Sequence, residues 1–190
     1  MVDGPDGAGK TVLADELAAV LGPPTVRASL DDFHRPRAYR HASGRTADTV
    51  WERSFDYVAV RRELLDPWRR GAGTPYRRRW HDLLSDSYVD EPAEQVPVEG
   101  LLVVDGVFAQ RPELAAYWDL VVYVDADADV RVARMAGRDG VATDPEHPDQ
   151  RRYLDAQLIY RKTCRPLASA DVVLDNTDPG SPVVVGPDES

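Results

Sequence analysis

The sequence predicts one α/β domain built on a mainly parallel sheet, and three observations predict it. Short apolar runs, "LLVV" (101–104), "LVVYV" (120–124) and "VVL" (172–174), do not alternate and each leads into an aspartate, the pattern of strands buried on both faces. Segments with helical spacing lie between them, so strand and helix alternate along the chain. A glycine-rich stretch, "GPDGAGKT" (4–11), opens a helical pattern at the first strand-to-helix junction. A chain of 190 residues suits a single domain with a core of its own.

In chain order, only "MV" precedes the aspartate that leads into the glycine loop, so the first strand is expected to be short, with residues lost to a misplaced start or a truncation. Val12, Leu13, Leu17, Val20 and Leu21 recur at helical spacing until Gly22-Pro23-Pro24, which predicts a helix over 10–21. "TVRAS" (25–29) reads as a strand, and the polar, arginine-rich stretch 34–45 as a loop. Helical spacing returns over 48–65 and is expected to stop at Asp66-Pro67, because proline disfavours a helical residue before it. The turn "RRGAGTP" leads into "YRRRWHDLL", and the acidic, proline-spaced "VDEPAEQVPVEG" reads as a surface connection. Further helices are expected over 112–117, 127–138 and 150–163. The proline- and glycine-rich tail, 179–190, is expected to be loosely held, with "VVV" available as an edge strand.

Composition narrows the partners. There are 33 acidic and 23 basic residues, a net charge of −10, which argues against broad binding to nucleic acid or an anionic membrane. No apolar run approaches the roughly 20 residues of a membrane span, and no signal-peptide pattern is present, so a soluble, cytoplasmic protein with small-molecule partners is expected. A homo-oligomer is left open. Cys164 has no second cysteine to pair with, which agrees with a reducing compartment, and it reads as an ordinary helix residue. Lysine occurs only at Lys10 and Lys162; every other Lys/Arg position is arginine.

The glycine stretch fits G-x-x-x-x-G-K-[ST], the phosphate-binding loop. Its spacing has a physical reason. Glycines let successive N–H groups curl inward, and the helix start adds partial positive charge, so Gly4, Asp6, Gly7, Ala8, Gly9 and Val12 are expected to cradle phosphates by their backbone. The compact ammonium of Lys10 can bridge β- and γ-phosphates where a guanidinium fork would need more room. Thr11 offers a hydroxyl to Mg²⁺. Asp105, ending the buried strand of "LLVVDG", can hold the same Mg²⁺ directly or through water; the alternative is a strand-ending aspartate in an Asp-Gly turn. In "SLDDFHRPR", Asp31 and Asp32 follow a strand, and strand C-termini of a parallel sheet face the ligand crevice. One of them could orient an acceptor hydroxyl and take its proton, the alternative being a capped polar turn.

Taken together, "GPDGAGKT", "SLDDFHRPR", "SFDY", "PYRRRWHD", "VVDGVF", "RVARMAGRD" and "ADVVLDN", in that order over about 2–178, resemble the uridine kinase-like branch of the P-loop kinases. The resemblance implies a three-layer α/β P-loop NTPase fold over 1–178, with a mainly parallel sheet and a small helical lid at about 131–150. It implies transfer of the γ-phosphate of ATP, with Mg²⁺, to a hydroxyl of a small acceptor, a nucleoside such as uridine or cytidine. Asp31 matches the family's catalytic aspartate, leaving Asp32 as a neighbour. Asp56 matches its acceptor-pocket aspartate, and Tyr76 and His81 match an aromatic and a histidine that contact the nucleoside. Strand packing for Tyr76 and a surface position for His81 are the bland alternatives. Arg131, Arg134 and Arg138 share a helical face where the family carries lid arginines; Arg134 is expected at the transferring phosphate, Arg131 beside it on the acceptor, and Arg138 on the nucleotide, the alternative being a solvated face. Three features depart from the family: Asp105 stands where glutamate is frequent, arginines follow Tyr76, and the first strand is short. A basic pocket of that kind could suit a phosphorylated or acidic acceptor; the alternatives are the same transfer to another alcohol, a sugar phosphate or a vitamin precursor, and a nucleotide-sensing switch without small-molecule turnover.

Overall fold

The computed structural model describes every residue except 23, 140–143, 145, 146 and 187–190, and only the backbone at 138, 139 and 149. Six strands form the main sheet: β1 (Val2–Asp3), β2 (Thr25–Ser29), β3 (Leu101–Gly106), β4 (Val122–Asp125), β5 (Val172–Asp175) and β6 (Val183–Val185). Their order is β6-β5-β4-β1-β3-β2, with all neighbours parallel except the antiparallel edge pair β5/β6. Short as it is, β1 sits centrally, with Val2 opposite both Asp105 and Val122. Met1 extends the pairing: its amino group donates to Leu120 O at 2.7 Å and its carbonyl accepts from Val122 N–H at 2.9 Å.

Successive residues of one strand point to opposite faces, and here both faces are covered. Val103 and Val124 join Val2, Ala8 and Ala14, with Leu13 and Leu17 packed against them. Their neighbours Val104 and Tyr123 join the larger core of Leu30, Phe33, Phe108 and Tyr160. This is the three-layer arrangement that unalternated strands require. Helix α1 (Lys10–Leu21) spans the expected residues, but its apolar stripe is narrower than the spacing suggests, since Val12 and Val20 are 62% and 80% exposed.

The expected helix over 48–65 is divided. Helix α2 (Ala47–Arg53) starts in a reciprocal Thr46–Thr49 capping box, and the chain then leaves helical pairing at Phe55, which bridges to His34. Asp56 caps a second helical run that passes from α (Tyr57–Ala59) through a π-helical stretch (Val60–Leu65) into a final α segment (Asp66–Arg70). The helix therefore continues past Pro67. The carbonyl four residues before the proline, Glu63 O, would lack a donor, and Arg77 N–H supplies one at 2.8 Å. Within 34–45 one helical turn forms at Arg37–Arg40, and 112–117 yields only a 3₁₀ turn at Ala115–Tyr117.

Two short ribbons follow the divided helix. Pro75–Tyr76 pairs with Glu94–Gln95, so the expected surface connection contributes a strand, and His81–Asp82 pairs with Ser87–Tyr88. Helices α3 (Ala128–Asp139) and α4 (Pro148–Cys164) fall within two residues of expectation, and the tail's "VVV" is β6. Among the described residues no helix is long and apolar enough to cross a membrane.

Candidate active site

The glycine loop connects β1 to α1 at the C-terminal edge of the sheet. Its path depends on close approach to neighbouring backbone. A Cβ on Gly4 would overlap the carbonyl of Val124, and one on Gly7 (φ 77°) would lie 2.5 Å from Arg131 O. The loop leads into a helix whose N-cap, Gly9, has no side chain to cap it, and no acidic residue occupies the first turn. First-turn amides lack intrahelical partners, so this helix start is open to an anion. Lys10 is 8% exposed and its Nζ donates to Pro5 O at 2.8 Å, folding the ammonium back over the loop. Asp6, Gly7, Gly9, Lys10, Thr11 and Val12 line one wall of a cavity of about 200 Å³.

Asp31, Asp105 and Arg134 line the same cavity. Thr11 Oγ1 donates to Asp105 Oδ2 at 2.7 Å, and Asp105 is almost fully buried. The other oxygen, Oδ1, accepts from Arg27 Nη2 at 2.9 Å. These residues fit the groups the resemblance implies. The open helix start and Lys10 suit a polyphosphate, and a hydroxyl beside a carboxylate is the oxygen donor set of Mg²⁺. Among the described residues no group of three or more His, Cys, Asp or Glu could hold a metal, so such an ion would depend on phosphate oxygens for further ligands. A hollow of about 310 Å³ elsewhere, lined by Gln110, Trp118 and Cys164 among others, has no charged lining residue and does not compete for that role.

The turn after β2 separates the two adjacent aspartates. It is a 3₁₀ turn (Leu30–Phe33) capped by Ser29, whose hydroxyl accepts from Asp31 N–H at 3.3 Å. Asp31 is exposed to the cavity. Asp32 turns away and pairs with Arg79 at 3.1 Å; burial raises its pKa although Arg79 opposes the rise. Asp56 is held beside this turn, since its N–H donates to Phe33 O at 2.8 Å. Its carboxylate caps Ala59 N–H at 3.1 Å and meets Arg35 Nη2 at 3.3 Å. The segment carrying His81 is tied to the same turn through Trp80 N–H, which donates to Asp32 O at 2.9 Å.

His81 is not on the surface. It is wholly buried, and neither ring nitrogen makes a hydrogen bond; the nearby Asp86 Oδ1, 3.4 Å from Nε2, already accepts from Arg37 N–H at 2.8 Å. A buried imidazole with both nitrogens unsatisfied is uncommon and points to a missing partner. Tyr76 lies apart from the cavity wall, packed edge-on against Trp68 with its hydroxyl 3.1 Å from Glu94 Oε2, and burial beside that carboxylate pushes its pKa up to about 12. The arginines that follow Tyr76 are all engaged: Arg77 with Glu63 and the Glu91 carbonyl, Arg78 with Glu94, and Arg79 with Asp32, Asp82 and Glu91.

Helix α3 supplies two described arginines with different surroundings. Arg131 is buried, its Nε donates to Ala126 O at 2.9 Å, and burial lowers its pKa. Arg134 reaches the cavity while donating to Gly7 O at 3.3 Å, Asn176 O at 2.9 Å and Thr177 O at 3.1 Å. The Arg138 side chain and much of the 131–150 lid lie outside the described residues.

Sequence reasoning overlooked Arg27, Asn176 and His34. Asn176 follows the aspartate that ends β5, and its Nδ2 donates to Ala8 O at 2.7 Å, bracing the glycine loop. Its position beyond the C-terminal end of a parallel strand was a usable signal. Arg27 was marked only by being the one charge in the strand "TVRAS". His34 joins the site through its contact with the Asp31 carbonyl, at 2.8 Å.

No family profile matches the chain. Over 142 residues it is 25% identical to a uridine kinase from Clostridium tetani (strain Massachusetts / E88), covering 73% of this chain and 66% of that protein, just under two thirds of the relative's length. A solved structure described as a possible uridine kinase from Bacillus stearothermophilus aligns with a TM-score of 0.66 at 23% identity, over 90% of this chain and 85% of the other. A second, provisionally assigned as a fructose transport system kinase from Silicibacter sp. TM1040, aligns with a TM-score of 0.59 at 21% identity, over 83% and 82%. The sheet order, the loop at the end of β1 and these neighbours define a three-layer α/β fold, the one these kinases share. Among those kinases the chain is similar in sequence to proteins described as uridine kinases.

Proposed function

We propose that the chain transfers the γ-phosphate of ATP to a hydroxyl of a small acceptor, with a nucleoside such as uridine or cytidine as the acceptor class. One observation carries the reading: Asp31 lines the same cavity as Lys10, Thr11 and Asp105, an arrangement that supports a proton acceptor within reach of a phosphate cradle. A nucleotide-sensing switch has no need of that carboxylate. Lys10 and the loop amides hold the phosphates, and Asp31 orients the acceptor hydroxyl and takes its proton as the oxygen attacks phosphorus. Because phosphoryl transfer is loose, a carboxylate of ordinary basicity suffices. Bound Mg²⁺, held by Thr11 and Asp105, would neutralise charge developing on the phosphates. Arg134, anchored to the loop and to the segment after β5, is placed to meet the transferred group. Arg138 on the nucleotide and Arg131 on the acceptor remain assignments from the resemblance.

The resemblance assigns acceptor contacts to His81, which is buried beside Asp86, and to Asp56, which is held beside the Asp31 turn. Arg77, Arg78 and Arg79 are occupied by acidic partners, which weakens the case that they bind a phosphorylated acceptor. The reading is tested by ADP release across a panel of nucleosides, sugar phosphates and vitamin precursors, with the product identified by mass. Asp31→Asn should keep Mg·ATP affinity within a few-fold while lowering turnover by roughly 10²–10⁴. Binding of ATP with no acceptor-dependent ADP across the panel would favour the switch.

A further inference from the structure

Arg27 links the three elements that carry the candidate site. It stands on β2, which leads to Asp31. Its Nε donates to Asp15 Oδ1 at 2.9 Å, and Asp15 lies one turn after Thr11 on α1. Its Nη2 donates to Asp105 Oδ1 at 2.9 Å on β3. The register makes this possible: Arg27 pairs with Val103, so Asp105 lies two residues further along on the same face. The Arg27 side chain is 20% exposed and that of Asp105 only 3%, so solvent screens their pairing little.

Both oxygens of Asp105 are thereby engaged, one by the Thr11 hydroxyl and the other by a permanent cation. We propose that Arg27 is a positioning residue that offsets the charge of Asp105 and so makes metal binding conditional on nucleotide. The inference rests on the reading of Asp105 as the metal-side carboxylate. A divalent cation approaching an empty site meets a carboxylate already paired with a guanidinium, which Arg27 shares with the more exposed Asp15, instead of a lone carboxylate. It gains enough attraction only when phosphate oxygens arrive with it. The same neutralisation removes a repulsion that metal-free ATP would otherwise feel. Arg27 keeps the carboxylate aimed at Thr11 without letting it collect a cation on its own.

The test reads metal and nucleotide binding separately, on the full chain and without acceptor. Free Mn²⁺ is followed by its electron paramagnetic resonance signal, and ATP by calorimetry with and without metal. Wild-type protein should take up no stoichiometric Mn²⁺ at sub-millimolar concentration, and should bind metal-free ATP within roughly tenfold of Mg·ATP. Arg27→Gln, which keeps a donor but loses the charge, should bind Mn²⁺ alone roughly ten- to a hundredfold more tightly than wild type and should disfavour metal-free ATP. Arg27→Lys should behave as wild type. Stoichiometric Mn²⁺ on the wild-type chain without nucleotide, or a folded Arg27→Gln with unchanged Mn²⁺ affinity, overturns the proposal. If Arg27→Gln does not fold, the two wild-type measurements decide. Failure to bind ATP under any condition would instead remove the kinase reading, and the Mn²⁺ comparison would still decide separately whether Arg27 keeps the cation away from Asp105.

Discussion

His34 shows how a single side chain joins fold and chemistry. Its Nδ1 lies 2.8 Å from the Asp31 carbonyl, which can only accept, so Nδ1 carries the hydrogen and Nε2 is left as an acceptor. The ring packs 4.4 Å from Phe55, and burial pushes its pKa down from 6.5 to about 4. Between those values the unfolded chain takes up a proton that the folded chain refuses. Stability is therefore full above the unfolded value and is lost as the pH falls from 6.5 towards 4. The loss is up to about 3 kcal/mol if the whole shift is realised. Urea unfolding at about pH 7 and about pH 4.5 should show this slope in wild type and a smaller one in His34→Asn, which keeps a donor but cannot titrate. Equal slopes in the two would remove His34 as its source. Lys10, Thr11, Asp31 and Asp105 were legible in the sequence because a fixed spacing or a strand end marks each. His34 and Arg27 were not, because their significance lies in burial and pairing across elements, and one arginine among so many carries no mark.

At the level of elements, the glycine loop and α3 are shaped against each other. Gly7 has a positive φ with its Cα facing the Arg131 carbonyl, whereas Gly22, at φ 70° and ψ 176°, has nothing within 4 Å of an added Cβ. Gly22→Ala should therefore cost only the backbone strain of a region almost confined to glycine, about 1–3 kcal/mol, and leave nucleotide affinity unchanged. Gly7→Ala adds a collision with main chain that cannot rotate away, so it should cost more than Gly22→Ala and weaken ATP binding at least tenfold. Parallel thermal melts and ATP titrations of the two variants check this, and equal behaviour would contradict the close packing. The same scale shows what periodicity can reveal. The apolar strands, α1, α3 and α4 were legible because one pattern governs each from end to end. The run from Tyr57 to Arg70 was not, since it survives Pro67 only through a π-helical stretch and a hydrogen bond from Arg77, a residue beyond its own end. The ribbons at Tyr76 and His81 escaped for a related reason: two-residue strands have no period to detect.

Across the whole molecule, one buried cluster connects the sheet, the segment after β3 and the long helix α4. Asp3 is fully buried, and its carboxylate accepts from Gly4 N–H at 2.8 Å, from Gln110 Nε2 at 2.9 Å and from the Tyr160 hydroxyl on α4. The same hydroxyl accepts from Gln110 N–H at 3.0 Å. Burial raises the pKa of Asp3, while the Tyr160 and Gln110 donors and the Gly4 amide hold it down. Because the folded value lies above the unfolded one, this group favours folding most at acid pH, and its contribution declines as the pH rises through the folded value. Tyr160→Phe removes a donor to the carboxylate and an acceptor for a buried amide, which should cost about 2–4 kcal/mol near neutral pH. It should also raise the Asp3 pKa further. The deficit must then shrink as the pH falls and Asp3 becomes protonated in the folded chain, since a neutral carboxyl loses less by the missing hydroxyl. Melting temperatures of wild type and Tyr160→Phe at about pH 7.5 and about pH 5 measure that narrowing. A gap that stays constant with pH would mean that Asp3 is not the charge Tyr160 serves, and the cluster would then be a packing contact with no electrostatic hold on the base of the glycine loop.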